Sequence, residues 1–328
     1  MLEDTVLSAL PSHGARRALV LSIVLSVLGY AGFSVWAGWR EVTALIFELG
    51  LAGIGLMLIL SGVNYGLRFL RWQILLARLG HRVPAAPGAL IYVAGFALTT
   101  TPGKAGEAIR SIFLKAHGVG YHASLAALFS ERLSDLIAVV LLACLGATSH
   151  PSSRPVVGGV LLLIVLLLLT LALSERLRPL HARLQASGGK LGALGARLCE
   201  LMFSAASCHR PGILLATTAV SVLAWGAEAW AFHLMLEGMG LSLQAIWAFF
   251  VYALSMLVGA ISFLPGGLGS AEATMVGLLI GAGQTEASAV AATLLIRLTT
   301  LWFAVALGAW ALAVVSRARP ATALGPQP

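Results

Sequence analysis

The sequence predicts an all-α fold: a polytopic transmembrane helix bundle with two re-entrant, broken-helix hairpins set in inverted repeats. Three observations predict it. Of 328 residues, 59% are hydrophobic and 10% charged, with a mean hydropathy of +0.93; a soluble core cannot use that much apolar surface, whereas a bilayer can. Runs such as Ala18–Trp39, Leu49–Leu67 and Val156–Ser174 carry no charge, and each is long enough to cross ~30 Å of hydrocarbon as a helix. Two further apolar stretches are interrupted by Pro-Gly breaks, at "TPGK" and "FLPGGLGSAE".

The elements follow in order. Arg16 and Arg17 precede span one (about 18–39) and place the N-terminus in the cytoplasm. That run is too long for a signal peptide and lacks a small-residue cleavage site, so it reads as a retained span. Span two (about 49–67) leads into "RFLRWQILLARLGHR". This stretch reads as an interfacial helix, with Phe69 and Trp72 at headgroup level and its arginines toward lipid phosphates. Segments at about 87–101 and 104–117 are each too short for an unstrained crossing and pair as the first hairpin. A span at about 123–147 leads out, and Val156–Ser174 leads back. The stretch 175–211 carries Arg176, Arg178, Arg183, Lys190, Arg197 and Arg210 and the turn signal "SGG", which make it a cytoplasmic connection. Span five (about 212–235) goes out, segments 243–264 and 267–282 form the second hairpin, and a last span (about 286–316) ends inside at Arg317 and Arg319; the topology closes equally if both Pro-Gly segments cross fully, and 243–264 alone is long enough to span. Residues 1–316 are thus expected as one transmembrane domain and 317–328 as a disordered cytoplasmic tail.

A repeat is written in the charges. Pro102-Gly103 precedes Glu107, and Arg132-Leu133 follows that acid by 25 residues; Pro265-Gly266-Gly267 precedes Glu272, and Arg297-Leu298 follows it by 25. The common offset of 165 carries span two onto span five, which run in opposite directions in this topology. Inverted repeats with discontinuous helices place a binding site near the bilayer midplane.

The breaks are the candidate hinges: Pro102, Gly103 and Gly106 in the first, and Pro265, Gly266, Gly267 and Gly269 in the second. Pro102 removes a donor and Gly103 relaxes φ, so a helix restarting near Lys104 would turn free amides toward a cavity suited to a phosphate. Lys104, Glu107 and Arg110 share one helical face, as do Glu131 and Asp135 with Arg132 adjacent. Ionisable groups inside a span cost ~2.5–3.5 kcal/mol each on insertion scales, so they face the bundle interior and pair. Two readings are compatible: these charges lock the hairpins together, or Lys104, Arg110, Arg132 and Arg297 hold an anionic headgroup while Glu107, Glu131, Asp135 and Glu272 tune it. Glu228 and His233 in span five could relay a proton.

Other classes are disfavoured. The net charge of +8 is spread over short connections rather than gathered as a nucleic-acid patch. Cys199, Cys208 and His209 lack the paired spacing of a zinc site. A P-loop is excluded because Ala105 follows Lys104 and Leu98 stands where its first glycine belongs. No catalytic set, cofactor motif or metal motif emerges, so the chain is expected not to be an enzyme.

"PGKAGEAIR", "ERLSDL", "FLPGGLGSAEA" and "ATLLIRLTTLW", with "RFLRWQILL" upstream, resemble the lysylphosphatidylglycerol synthase transmembrane-region family, also described as flippase-like domains. The resemblance covers roughly residues 16–316. It implies a bundle with two re-entrant helices that binds a lipid and helps move it between leaflets of the inner membrane. It also implies that Glu107, Arg110, Glu131, Arg132, Asp135, Glu272 and Arg297 occupy the family's polar positions. The aminoacyl-transferase domain of the family's synthases has no counterpart in this sequence, so synthase activity is not implied. Stand-alone members occur near envelope-lipid pathways, which implies a phospholipid, hopanoid or isoprenoid-linked substrate and biosynthetic enzymes as partners. Two alternatives stay open: a lipid-modifying membrane enzyme, and a non-transporting scaffold.

Overall fold

The computed structural model describes residues 39–147, 153–187 and 189–317. The first expected span, apart from Trp39, and the expected tail, apart from Arg317, lie outside the described residues. The described chain is all-α, without a strand.

Its first helix, α1 (Trp39–Arg78), runs 40 residues with one break in helical geometry at Gly50, where φ is +65°. This corrects the expectation of a span followed by a separate interfacial helix. Nothing at 67–68 stops the helix, and Ser61, Asn64, Arg68, Arg71 and Leu75 recur at three- and four-residue spacing, all buried. The buried stripe therefore continues through the arginines. Arg68, Arg71 and Trp72 lie in the protein interior rather than among headgroups.

The first hairpin comprises α2 (Ala85–Ala94), a 3-10 turn (Gly95–Leu98), a second 3-10 segment (Pro102–Ile109) and α3 (Arg110–Lys115). Here too an expectation is revised: the α-helix restarts at Arg110, not near Lys104. Pro102 opens the segment, and Gly103 and Gly106 disfavour the α-helix. The Gly106 N–H is taken by the Thr101 hydroxyl at 2.6 Å, so that amide is not free for a phosphate. A Cβ at Gly106 would lie within 2.8 Å of the Leu98 and Thr101 side chains, which is why this tight segment uses glycine there.

Then come α4 (Tyr121–Ala147), α5 (Arg154–Ala172), a 3-10 turn (Ser174–Leu177), α6 (Arg178–Ala186) and α7 (Lys190–Cys208). The stretch 175–211, expected as a cytoplasmic connection, forms a helical pair whose second member packs along α4. Gly195 lets the two helices close up: the Leu184 side chain lies 3.0 Å from where its Cβ would be. By length and composition α7 joins the membrane-competent helices, which among the described residues are Phe47–Arg78, Arg154–Ala172, Leu191–Cys208, Pro211–Gly238 and Glu286–Arg317.

The second unit contains α8 (Pro211–Gly238), α9 (Ala245–Ile261), a 3-10 turn (Pro265–Gly267), α10 (Ser270–Gly281) and α11 (Glu286–Arg297). A π-helical turn (Leu298–Trp302) joins α11 to α12 (Phe303–Arg317). Shifted by 165, the first unit falls on the second element by element, and the start of α4 at Tyr121 lands on the start of α11 at Glu286.

The units interlock. α1 packs on α8, while each hairpin leans on the closing helix of the other unit: α2 on α12, and α9 on α4. Glycines permit both approaches. A Cβ on Gly308 would strike the backbone of Phe96 and Ala97, and one on Gly146 would strike the Phe250 ring. The arms of each hairpin pack on each other, and the two breaks meet, Pro102–Ile109 against Pro265–Gly267. At that contact the Cβ position of Gly266 lies 3.5 Å from Thr100 Cα.

Candidate functional site

α4 sets the site. Glu131, Arg132 and Asp135 fall within five positions, and both carboxylates are buried. Burial of each costs several kcal/mol unless cations and donors meet it. Two neighbours supply them. From α1, Arg71 Nη1 lies 2.5 Å from Asp135 Oδ1, and its Nη2 lies 3.7 Å from Glu131 Oε1. Arg68 Nη2 stands 3.7 Å from Asp135 Oδ2. From the first hairpin, Arg110 Nη2 donates to Glu131 Oε2 at 2.9 Å and lies 3.3 Å from Glu107 Oε2.

Neutral donors complete the shell. Tyr92 donates to Glu131 (3.0 Å), Trp225 Nε1 to Asp135 (2.9 Å) and Thr99 to Glu107 (3.1 Å), while Arg71 also reaches the Ser221 hydroxyl at 2.6 Å. Aromatic faces cover the cations: the Arg110 guanidinium sits 4.7 Å from the Tyr92 centroid, and Arg68 lies between Phe96 and Trp225 at 5.5 and 5.7 Å. Such contacts strengthen when desolvated.

Four arginines thus face three carboxylates, and Arg132 is the most exposed of the four. Its Nη2 lies 3.5 Å from Glu107 and 3.3 Å from Asp135, but its Nε and Nη2 make no hydrogen bond. Its side chain is 25% exposed, against 0% for Arg71 and 3% for Arg110.

Arg132 faces a cavity of about 390 Å³. The lining of that cavity holds the charged residues Arg132, Asp135 and Arg297 and the glycines Gly266 and Gly267; the rest is mostly apolar, from α4, α5 and α9 (Val139, Leu163, Leu257 and Ile261 among them). Arg132 and Arg297 are repeat equivalents, so each unit contributes its matching arginine to one space.

Arg297 is tied. Its Nε lies 2.6 Å from Glu272 Oε1, and its Nη2 donates to the Gly266 carbonyl at 2.8 Å. Glu272 also accepts the Gly269 N–H at 2.7 Å and so caps α10. Gly266, Gly267 and Gly269 all have positive φ (+63°, +68° and +86°), a region L side chains rarely adopt. A Cβ on Gly267 would come within 3.0 Å of Gly259 Cα.

Of the residues singled out in the sequence, Glu107, Arg110, Glu131, Arg132 and Asp135 converge in one cluster, and Glu272 pairs with Arg297. Arg132, Asp135 and Arg297 reach the cavity; Glu107, Arg110, Glu131 and Glu272 stand behind it. Lys104 falls in the 3-10 segment, and the side chains from Pro102 to Ala105 lie outside the described part. Of the two residues expected as a relay, Glu228 accepts from Tyr252 at 2.5 Å, and His233 Nε2 lies 3.5 Å from Glu237. Sequence reasoning missed Arg68, Arg71, Tyr92 and Trp225. The run of polar residues at 61, 64, 68 and 71 was the signal that α1 turns its arginines inward.

The family model for the lysylphosphatidylglycerol synthase TM region matches residues 19–308. A UPF0104 membrane protein of Pyrococcus horikoshii is 25% identical over 303 residues, covering 83% of this chain and 90% of the relative. Another, from Methanothermobacter thermautotrophicus, is 25% identical, covering 87% and 90%. Glycosyltransferase AglD of Haloferax volcanii is 28% identical over 140 residues, 42% of this chain and 22% of that protein. A match that runs through both Pro-Gly breaks and every residue of the ionic cluster shows that the chain belongs to the lysylphosphatidylglycerol synthase transmembrane-region family.

Proposed function

We propose that this multi-pass membrane protein binds an amphiphilic lipid with an anionic headgroup and moves it between leaflets. The observation that carries the reading is the lining of the cavity, two arginines and a carboxylate among mostly hydrocarbon side chains. A headgroup docks beside Arg132, the most exposed arginine of the cluster, while the chains lie along α5 and α9 and out into the bilayer. On this reading the two hairpins are re-entrant, their breaks meeting at membrane depth, where irregular backbone is tolerated only against protein or a polar cavity. The units are then inverted repeats that rock against each other. The protein works in the inner membrane with both termini cytoplasmic, without catalysing a reaction, and beside enzymes that make or consume its lipid. The AglD match supports that last point, because a glycosyltransferase carries a stretch similar to part of this one.

Reconstitution tests the reading. Purified protein in vesicles with leaflet-labelled lipids is expected to accelerate exchange of anionic lipid between leaflets without altering lipid composition. Arg132→Ala is expected to cut the rate at least ~10-fold, the effect of losing about 1.4 kcal/mol of binding. Appearance of a new lipid species would establish an enzyme instead, and wild-type rates equal to empty vesicles would leave a static lipid-binding scaffold.

A further inference from the structure

Arg132 and Arg297 are equivalent by the repeat, yet their surroundings differ. Arg132 stands 3.5 Å from its unit's break-segment acid, Glu107, and its side chain is 25% exposed, against 5% for Arg297. Arg297 is 2.6 Å from the matching acid, Glu272, and is fastened to the Gly266 carbonyl in the break itself. The helices that carry them differ as well. After Arg297 the chain takes a π-helical turn, Leu298–Trp302, whereas the residues after Arg132 continue as ordinary α-helix. Packed with the same motifs at the same spacing, the two units thus hold one device in two conformations. π turns inside α-helices recur at functional sites. Absorbing such a turn rotates everything beyond it, and Leu301, within this one, lines the cavity.

We propose that the second unit holds a latent site for the same anionic headgroup, built on Arg297 and the Gly266-Gly267 break, and that the lipid occupies Arg132 and Arg297 in turn. In the conformation seen here, the Arg132 site is open and Glu272 with the Gly266 carbonyl occupies the Arg297 site as an internal stand-in for the ligand. In the exchanged conformation Arg132 closes on Glu107 while Arg297 lets go of Gly266. A headgroup is handed across the shared cavity between two arginines from opposite units, so no step strands its charge against bare hydrocarbon. This inference rests on the lipid-binding reading and sharpens it to a two-station site.

The test is binding of dioctanoyl phosphatidylglycerol to the purified full chain in detergent, with dioctanoylglycerol as the uncharged control. Arg132→Gln is expected to weaken binding at least ~10-fold, and Arg297→Gln, which alters the closed station, less than ~3-fold. Glu272→Gln keeps an oxygen for the Gly269 N–H while removing the charge that ties Arg297. The double variant Arg132→Gln/Glu272→Gln is therefore expected to regain binding to within ~3-fold of the wild type, now through Arg297. The triple variant that adds Arg297→Gln is expected to lose it again. Thermal unfolding of each variant separates lost binding from lost fold, and Arg132→Lys, which retains a cation, covers the case in which the glutamine variant does not fold. If Arg297→Gln is as damaging as Arg132→Gln, the two arginines form one static site and the proposal falls. It falls equally if the double variant stays as weak as Arg132→Gln. Wild-type protein that binds neither lipid overturns the broader lipid reading as well, a result distinct from both.

Discussion

The two units are built alike and charged differently. The first gathers Arg68, Arg71, Glu107, Arg110, Glu131, Arg132 and Asp135 into one network; the second carries the arginine–carboxylate pair Glu272–Arg297, the contact His233–Glu237, and a carboxylate, Glu228, bonded to Tyr252. At the offset of 165, Leu236 stands where Arg71 would be, Ile296 for Glu131 and Thr300 for Asp135. What survives in both units is the break, its acid and the arginine 25 residues on. The difference separates two jobs that share one chemistry. The common residues belong to the device at the breaks, and the extra charges of the first unit form a fixed scaffold behind it.

That distinction can be broken by substitution. Arg71→Ala leaves two buried carboxylates short of a cation and is expected to destabilise the protein by ~3–5 kcal/mol in thermal unfolding in detergent. Arg297→Ala orphans one carboxylate, which retains the Gly269 N–H, and is expected to cost less. An equal loss would mean that the second pair is as structural as the first. Next come the crossings between units. Gly308→Ala drives a methyl into the Phe96–Ala97 backbone and Gly146→Ala into Phe250 from its Cβ outward, each expected at ~1–3 kcal/mol. Tyr92→Phe removes one donor from Glu131 and is expected to cost ~1–2 kcal/mol, a loss that Tyr252→Phe should match in the second unit. Smallest of all is the exposed pair Glu175–Arg178. The Arg178 hydrogen bond holds the Glu175 carboxyl below its ordinary range, so any contribution is present above that range and is lost as pH falls through it. Both groups are in solvent, however, and Arg178→Ala is expected to leave the unfolding temperature unchanged at every pH.

The sequence made the bundle legible because apolar runs and Pro-Gly breaks act locally: a helix that cannot continue stops where its residues say so. The equal spacing of Glu107–Arg132 and Glu272–Arg297 marked the repeat, and the structure shows an ion pair at each. What stayed hidden depends on what lies alongside. Arg68 and Arg71 look interfacial until α4 is seen to place two carboxylates beside them. The basic stretch 175–211 looks like a loop because charge was weighed over the small residues that let α7 lie along α4. No pattern along the chain distinguishes Arg132, open, from Arg297, tied, because both follow the same spacing rule and differ only in conformation.

The charges of α4 bear on how the protein is made. Three ionised side chains in its middle would each oppose partition into lipid by ~2.5–3.5 kcal/mol, and among the described helices α4, despite its 27 residues, does not qualify as a span on its own apolarity. Its counter-ions sit on α1, synthesised earlier. During biogenesis α4 therefore cannot leave the insertion machinery as an independent segment. It must wait there until α1 is alongside, so the first folding event in the membrane is an electrostatic handshake between these two helices rather than the burial of grease.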